Sequence, residues 1–222
     1  MGGIYEATVA RAFSVWYGLL MRRIDEAGLY GVRRALLSGA RGRVLDVGTG
    51  TGSNLPLFPE TVDLVLSEPS SNMQRSLRRR LREEGRSNVD LVRAGAESLP
   101  FDDASFDCVA CTFVMCTMPD PHAGLEEIAR VLKPGGSFLF LEHVRSANPR
   151  VARTQDFLLR PWRFIADGCH CNRDSLAAIE ASPLVVQSLK QGQMPLAPLF
   201  MKPLIFGSAS LAADGSVRPQ GA

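Results

Sequence analysis

The 222-residue sequence has no long apolar segment and no large excess of charge of either sign. No stretch approaches the roughly 20 consecutive apolar residues that a membrane-spanning helix requires. The formal net charge is only +2, which is too small to indicate a nucleic acid or an anionic membrane as the main partner. We therefore expect neither stable insertion into a membrane nor a nucleic-acid partner.

The N-terminus has no targeting pattern, and cysteine is scarce. A secretory signal would begin with a basic region, followed by an apolar run and a small-residue cleavage site, and the first residues do not show this order. The five cysteines are odd in number and three of them lie in or beside one apolar run, so we expect reduced thiols rather than a disulfide framework. Both observations predict a cytoplasmic protein.

What is present is an alternation of short apolar runs with longer helical patterns. Up to about residue 40, apolar residues recur at spacings of three and four, which predicts two helices broken near Gly28. Short apolar runs alternating with helical segments are typical of parallel strands joined by helical crossovers, and the last two runs are expected to close the sheet as an antiparallel hairpin. The runs are RVLDV, DLVLS, DLVRA, FDCVACTFV, SFLFLEHV, PLVVQSL and KPLIFGSASL.

Glycines occupy alternate positions directly behind the first predicted strand, in the segment VLDVGTGTG of residues 44–52. Such glycines let the backbone turn tightly and approach a ligand without a Cβ in the way, as any nucleotide-type cofactor requires. Counted from Gly48, the last position of the dinucleotide fingerprint G-x-G-x-x-G/A falls on Ser53, which is neither glycine nor alanine. The pattern therefore disfavours NAD.

Two carboxylates flank this loop at the ends of the first two predicted strands. Asp46 precedes the glycines, where it would repel a pyrophosphate and favour a positively charged or amino-bearing group. Glu68 ends the second strand, where a carboxylate can accept hydrogen bonds from both hydroxyls of a ribose. Taken singly, Asp46 could be a turn acid and Glu68 a surface residue, but their joint spacing favours one ligand with a charged end and a ribose.

With the motifs further along the chain, these residues resemble the class I S-adenosylmethionine-dependent methyltransferases. The likeness covers about 100 residues, from Arg43 to Val144, in the family's order. It consists of VLDVGTGTG as the glycine motif, LSEPS as the ribose acid, AGAESLPF as the adenine segment, FDCVACTFVMCTM as the fourth strand and LKPGGSFLFLEHV as the fifth. Within the class, the segments CTFVMCTMPDP, LEHV and DGCHCNRDS are similar to thiol methyltransferases, and the quinone-biosynthesis type is the other near relative.

The resemblance implies a fold, a cofactor and the residues that bind it. The fold is α/β, a doubly wound, seven-stranded, mostly parallel, Rossmann-like sheet with N-terminal helices and a helical cap between strands five and six. The cofactor is S-adenosyl-L-methionine. The binding residues would be Asp46 and the backbone of Gly48, Gly50 and Gly52 for the methionine moiety, Glu68 for the ribose, Ala96 and Glu97 for the adenine, the main chain of Thr112, and Tyr17 closing over the cofactor.

The acceptor side rests on fewer signals. Methyl transfer from a sulfonium is an in-line displacement, so the nucleophile must lie about 3 Å from the methyl carbon. Among the histidines, His143 alone follows a predicted sheet strand at the edge facing the crevice, and we predict it as a base or acceptor contact; a histidine satisfied by a backbone group is the structural alternative. The expected acceptor pocket contains Met115, Cys116, Trp162 and His170, with Phe157 and Phe164 as further apolar walls.

A metal site is not expected. Cys169, His170 and Cys171 are adjacent and lack the usual two-residue gap between ligands, and a structural zinc requires four ligands. The segment from Asp167 to Asp174 is predicted instead to cap the acceptor pocket.

We expect one domain over residues 1–211, with a helical lid at 1–40, a cofactor-binding core at 41–144, a substrate cap at 145–182 and a closing hairpin at 183–211. Residues 212–222 have almost nothing to bury and are expected to be disordered. The predicted function is methyl transfer to a small, largely apolar acceptor, with a thiol or hydroxyl favoured and a quinone-like carbon or an amine left open. The alternative is a non-catalytic S-adenosylmethionine-binding or assembly protein, since fold does not fix function.

Overall fold

A computed structural model describes residues 10–86 and 89–211 of the chain, with the backbone alone for residues 10–15. The predicted helical residues before residue 10 and the expected disordered tail at 212–222 lie outside the described residues. No helix within the described ranges is both long enough and apolar enough to cross a bilayer.

The described elements alternate between strand and helix, as the apolar pattern predicted. The helices are α1 (Ala10–Ile24), α2 (Tyr30–Leu37), α3 (Ser71–Glu83), α4 (Pro121–Val131), α5 (Pro149–Ile165) and α6 (Ser175–Glu180). The strands are β1 (Arg43–Val47), β2 (Asp63–Ser67), β3 (Val89–Val92), β4 (Phe106–Thr112), β5 (Leu132–His143), β6 (Leu184–Gln193) and β7 (Pro203–Leu211).

The strands form one seven-stranded sheet in the order β3-β2-β1-β4-β5-β7-β6. Strands β1 to β5 pair in parallel, whereas β7 runs antiparallel to both β5 and β6. The fold prediction is therefore confirmed, including the closing hairpin and the helical cap, since α5 and α6 lie between β5 and β6. Strand β5 starts at Leu132, earlier than the apolar run that predicted it.

Both faces of the sheet are buried, which explains the continuous apolar runs. In β1, Leu45 and Val47 belong to one core cluster and Val44 to another. In β4, Val109 packs in the first cluster and Cys108 in the second. Because successive side chains of a strand alternate between faces, a sheet covered on both sides needs apolar residues at every position.

The helices start at residues that satisfy their free N–H groups. The Ser70 hydroxyl accepts a hydrogen bond from the Met73 N–H at the start of α3. Asp120 and Asn148 cap α4 and α5 in the same way, and each is followed by a proline at the first helical position.

The N-terminal helices bend at Gly28, as expected, and the bend brings them over the carboxyl edge of the sheet. Gly28 has a φ of 126° inside a short π-helical turn at Asp25–Leu29 that joins α1 to α2. Met21 and Ile24 of α1 pack with Phe113, which follows β4, and with Leu141 of β5. One face of the lid therefore contacts the sheet edge where β4 and β5 end.

Two glycine-to-alanine substitutions should change stability in opposite directions. A Cβ on Gly207 of β7 would lie 2.0 Å from the Ser188 carbonyl oxygen, so Gly207→Ala should lower the free energy of unfolding by about 1–3 kcal/mol. A Cβ on Gly31 of α2 would meet nothing within 4 Å, so Gly31→Ala should raise the free energy of unfolding by about 0.5–1 kcal/mol. Urea unfolding measures both, and an unchanged or higher free energy of unfolding for Gly207→Ala would contradict the close contact between β6 and β7.

Candidate active site

A cavity of about 440 Å³ opens at the carboxyl edge of the sheet, beside α1. Its walls come from the loops that follow β1, β2, β3 and β4, from the end of β5, from the loop after α5 and from the segment before β7. In the strand order, β1 and β4 are the neighbours at which the direction of winding reverses. Ligands of doubly wound sheets bind outside the strand ends at this switch point.

The glycine loop after β1 forms one side of the cavity. Gly48 and Gly50 both have φ values of 61°, a left-handed conformation that glycine adopts without strain. A Cβ on Gly48 would also meet the Val114 side chain at 2.7 Å. Gly48 and Gly50 line the cavity, whereas Gly52 packs behind the loop near Leu77.

Glu68 holds the glycine loop against the end of β2. One of its carboxylate oxygens accepts a hydrogen bond from the Gly50 N–H at 2.8 Å, and the other accepts one from the Ser70 N–H at 2.8 Å. Burial raises the pKa of Glu68, and the two backbone donors oppose that rise. The carboxylate lines the cavity, and each oxygen keeps a further lone pair for a ligand hydroxyl.

Asn54 joins the ends of β1 and β4 to the N-terminal helices. Its amide nitrogen donates to the Asp46 carboxylate at 2.9 Å and to the Thr112 hydroxyl at 3.0 Å. Its amide oxygen accepts from the guanidinium of Arg33 at 2.9 Å. Arg33 is itself buried on α2 and lies over the Phe113 ring, 5.3 Å from the ring centroid.

Asp46 is fully buried in this network and does not line the cavity. Burial raises its pKa to about 7, although the hydrogen bonds from Asn54 and Thr49 oppose the rise. Its second carboxylate oxygen has no hydrogen-bond partner among the described residues. Asp46 therefore anchors the loop from below, and its predicted contact with the methionine moiety stays a prediction.

The remaining predicted cofactor residues divide in the same way. Ala96 and Glu97 line the cavity after β3, and Tyr17 lines it from α1, where burial raises the pKa of its phenol. Thr112 lies beside the cavity, bonded to Asn54, without lining it.

Three titratable side chains from separate segments meet at the wall of the cavity. Cys116 follows β4, His143 ends β5, and Cys169 lies in the loop after α5. Their two sulfurs and the histidine nitrogen lie within 4.8 Å of one another, and all three residues are buried and line the cavity. We call this set the Cys-His-Cys cluster. The Cys169 sulfur lies 3.2 Å from His143 Nε2 and accepts a hydrogen bond from the Trp162 indole N–H at 3.2 Å.

These contacts change the protonation of the cluster. The hydrogen bond with Cys116 and the nearby His143 lower the pKa of the Cys169 thiol, and burial opposes them. Burial alone would lower the pKa of His143, but Cys169 and Glu142 together outweigh burial and raise it. The pKa of Cys116 is raised, first by its hydrogen bond with Cys169 and then by burial. The cluster therefore favours a Cys169 thiolate paired with a protonated His143.

Several polar contacts fix the loop that carries Cys169. The buried Gln155 amide donates to the carbonyl oxygens of Cys171 and Phe200, both at 2.8 Å. The His170 N–H and the Cys116 carbonyl oxygen form a hydrogen bond of 2.8 Å. Arg173 donates to the Met115 carbonyl oxygen at 2.5 Å. The position of Cys169 thus depends on α5 and on the loop after β4.

The structure does not bring every predicted pocket residue to the cavity. Cys116 and Trp162 line it, but Met115 is fully buried in the core and His170 bonds to the Cys116 backbone outside it. Phe157 and Phe164 were expected as apolar walls, but they are 84% and 64% exposed and do not line the cavity. They lie on the outward side of α5, away from the cavity.

Sequence analysis missed three residues that organise the site. Cys169 was passed over in favour of the adjacent His170, while Arg33 and Gln155 looked like ordinary polar positions on helices. The available signals were weak, because Arg33 is one of two adjacent arginines in α2, and Gln155 is the one glutamine of α5. Both side chains are almost completely buried, which polar residues tolerate only when paired.

The raised pKa of Asp46 predicts how stability depends on pH. A carboxyl with a higher pKa in the folded state loses folded-state stability as pH rises from its unfolded pKa of 3.8 to about 7. The free energy of unfolding of Asp46→Asn minus that of the wild type should therefore increase as pH rises from about 5 to about 7. The increase should be at most about 1.4 kcal/mol per pH unit. Urea unfolding across this range measures it, with the exposed-site variant Asp102→Asn as control. A pH-independent difference for Asp46→Asn would contradict a protonated Asp46.

Comparison with known proteins agrees with this geometry. Residues 45–140 match the family model described as a methyltransferase domain. The chain is 32% identical to thiol S-methyltransferase TMT1B of Rattus norvegicus over 169 residues, which cover 75% of this chain and 69% of that protein. It is 35% identical to demethylmenaquinone methyltransferase of Clavibacter sepedonicus over 153 residues, covering 68% of this chain and 62% of that protein.

The fold is shared with solved structures at lower identity. The crystal structure of an S-adenosylmethionine-dependent methyltransferase from Thermotoga maritima superposes with a TM-score of 0.66 at 21% identity, over 93% of this chain and 97% of that one. Because it has relatives at or above 30% identity and matches the methyltransferase domain, the chain belongs to the class I S-adenosylmethionine-dependent methyltransferases.

Proposed function

We propose that this enzyme transfers the methyl group of S-adenosylmethionine to the sulfur of a small, largely apolar thiol. The observation that carries the choice of acceptor is the Cys-His-Cys cluster, in which His143 Nε2 lies 3.2 Å from the Cys169 sulfur inside an apolar cavity. The relatives named thiol S-methyltransferases support the same choice.

The cavity suits a cationic nucleoside. Glu68, Glu97 and Asp167 line it, and no lysine or arginine of the described ranges does so. Three carboxylates favour a sulfonium cation and disfavour a pyrophosphate. The exposed backbone at Gly48 and Gly50 leaves room for close approach, and Glu68 retains acceptor capacity for the ribose. When bound, S-adenosylmethionine supplies an electrophilic methyl group to this cavity.

The proposed acceptor half of the cavity is lined mostly by apolar side chains. Its lining includes side chains of α1, of the loop after β4 and of the segment before β7. These are Leu20, Met21, Ile24, Met118, Met194, Leu196, Ala197 and Met201. Such walls hold an apolar acceptor and exclude competing water, while positioning alone supplies much of the acceleration in a displacement at carbon.

The surroundings of His143 favour sulfur over oxygen as the acceptor atom. His143 was predicted as a base or acceptor contact, but Cys169 and Glu142 raise its pKa, which disfavours the neutral form that a base requires. An alcohol usually needs a base, whereas a thiol with a free pKa near 8.5 ionises with little help. In this proposal His143 contacts the acceptor thiolate and helps to position it.

We also propose a cytoplasmic location, with which the five cysteines are consistent. All five are buried and none is in a disulfide. Free thiols in these numbers fit a reducing compartment.

A screen of matched acceptors tests the proposed reaction. The purified protein is incubated with S-adenosylmethionine and either benzenethiol or phenol, and with quinols and amines, and the S-adenosylhomocysteine formed is measured. Since thiols ionise about 1.5 pH units below phenols, benzenethiol should have a kcat/KM at least about tenfold above that of phenol. Equal or better turnover of phenol, a quinol or an amine would refute the choice of a thiol.

A substitution at Glu68 tests the cofactor half separately. Glu68→Ala removes the expected ribose acceptor and releases the Gly50 loop, so binding of S-adenosylhomocysteine should weaken by about 1–3 kcal/mol. Isothermal titration calorimetry measures the affinity. Glu60→Ala, which changes an exposed carboxylate in the loop before β2, is the matched control and should bind like the wild type. Unchanged affinity in a folded Glu68→Ala protein would remove Glu68 from the cofactor site.

A further inference from the structure

We propose that the Cys-His-Cys cluster is a zinc site, with Cys116 Sγ, His143 Nε2 and Cys169 Sγ as ligands and a fourth position open to the cavity. The acceptor thiolate would take the fourth position, and this role rests on the proposed function. Zinc binding itself depends only on residues of this chain.

The ligand atoms already have nearly the separations that zinc requires. Tetrahedral zinc with bonds of about 2.3 Å to sulfur and 2.0–2.1 Å to nitrogen holds its ligand atoms about 3.5–3.8 Å apart. Here the Cys169 sulfur and His143 Nε2 are 3.2 Å apart, and all three ligand atoms lie within 4.8 Å of one another. Side-chain shifts of about 1 Å or less would complete the geometry.

The ligand types favour zinc with an accessible position. Two cysteines and one histidine form a set that catalytic zinc sites use, with water or substrate as the fourth ligand. All three residues are buried, so their ligand atoms are largely shielded from bulk water, and all three line the cavity, so the open position faces an acceptor. The adjacent Cys169, His170 and Cys171 could not supply this set, because His170 bonds to the Cys116 backbone and Cys171 to the Gln155 backbone.

Neighbouring side chains form hydrogen bonds to some of the proposed ligands but not to all of them. The Trp162 indole donates a hydrogen bond to the Cys169 sulfur, as thiolate ligands of zinc commonly accept. His143 Nδ1 has no hydrogen-bond partner among the described residues. Since a missing partner of a ligating histidine typically weakens metal binding by about 10–100-fold, the site should bind zinc less tightly than a closed structural site.

Zinc would activate the acceptor without a protein base. A thiol that binds the metal releases its proton to solvent and becomes a thiolate, because the cation lowers its pKa. The thiolate sulfur then forms a bond to the methyl carbon as the bond from that carbon to the sulfonium sulfur breaks. The products are a thioether and S-adenosylhomocysteine, and the thioether, a weaker ligand, leaves the metal.

Metal binding can be measured without turnover. The wild-type chain, freed of metal by a chelator and dialysed, should bind about one zinc ion or one cobalt ion per chain. The cobalt form should show the visible bands of tetrahedral coordination and a near-ultraviolet band from thiolate to cobalt. Cys116→Ser and Cys169→Ser should each weaken zinc binding at least about tenfold.

Cys171→Ser is the matched control. Cys171 is two positions from Cys169 and fully buried, but its sulfur bonds to the Gln155 carbonyl oxygen, a contact that a serine hydroxyl can keep. This variant should bind metal like the wild type. Binding of S-adenosylhomocysteine checks that each variant is folded. A wild-type protein that binds no zinc or cobalt, or one whose binding survives both Cys116→Ser and Cys169→Ser, would overturn the inference.

Adding benzenethiol to the cobalt form, without S-adenosylmethionine, tests the open position. We expect the visible bands to shift as the thiolate replaces water. If the wild-type protein binds cobalt but thiols are not methylated, the proposed function fails and the metal site stands. If thiols are methylated at an unchanged rate after zinc is removed, the inferred role of zinc in holding the acceptor thiolate fails and the proposed function stands.

Discussion

The amide of Asn54 is the contact on which the rest of the site depends. It donates to Asp46 at the end of β1 and to Thr112 at the end of β4, and it accepts from Arg33 on the N-terminal helices. One side chain therefore links the ends of the two paired strands at the switch point and attaches the N-terminal helices above them. A buried amide that forms all three of these hydrogen bonds destabilises the fold little, whereas a buried amide that lacks a partner destabilises it strongly. The network therefore favours a single arrangement of these side chains.

Burial of charge accompanies this arrangement on both sides of the cavity. Asp46 and Glu142 are fully buried at the ends of β1 and β5, and burial raises the pKa of each to about 7. One Glu142 oxygen accepts hydrogen bonds from the N–H groups of Val114 and Met115, which holds the loop after β4 in place. Burying these two carboxyls lowers the stability of the folded state, but each carboxyl fixes a loop at the site. Groups with perturbed pKa values are common at functional sites.

The order of the elements could be predicted from the sequence because it depends on local patterns. Strand β1 and its glycines, the Ser70 cap and the bend at Gly28 are each encoded within a few residues. Glu68 could be placed at the cavity because the carboxyl ends of parallel strands share one edge.

The acceptor side was harder to predict because it depends on contacts between distant segments. Phe113 adopts a φ of 58°, which ends the strand alternation after β4, so that Val114 and Cys116 line the cavity while Met115 packs in the core. The choice of Cys169 over His170 likewise depends on the left-handed residues Asp167 and Gly168. No periodicity in the sequence reports either conformation.

The placement of the three cluster residues has a consequence for how this architecture diversifies. The matched methyltransferase core ends at residue 140, while His143 and Cys169 lie beyond it and only Cys116 lies within it. In the proposed function, the half that would bind the nucleoside and the half that would select the nucleophile are encoded in largely separate stretches of chain. Changes to the helical insertion after β5 would then alter which atom receives the methyl group while the glycine loop and Glu68 remain unchanged.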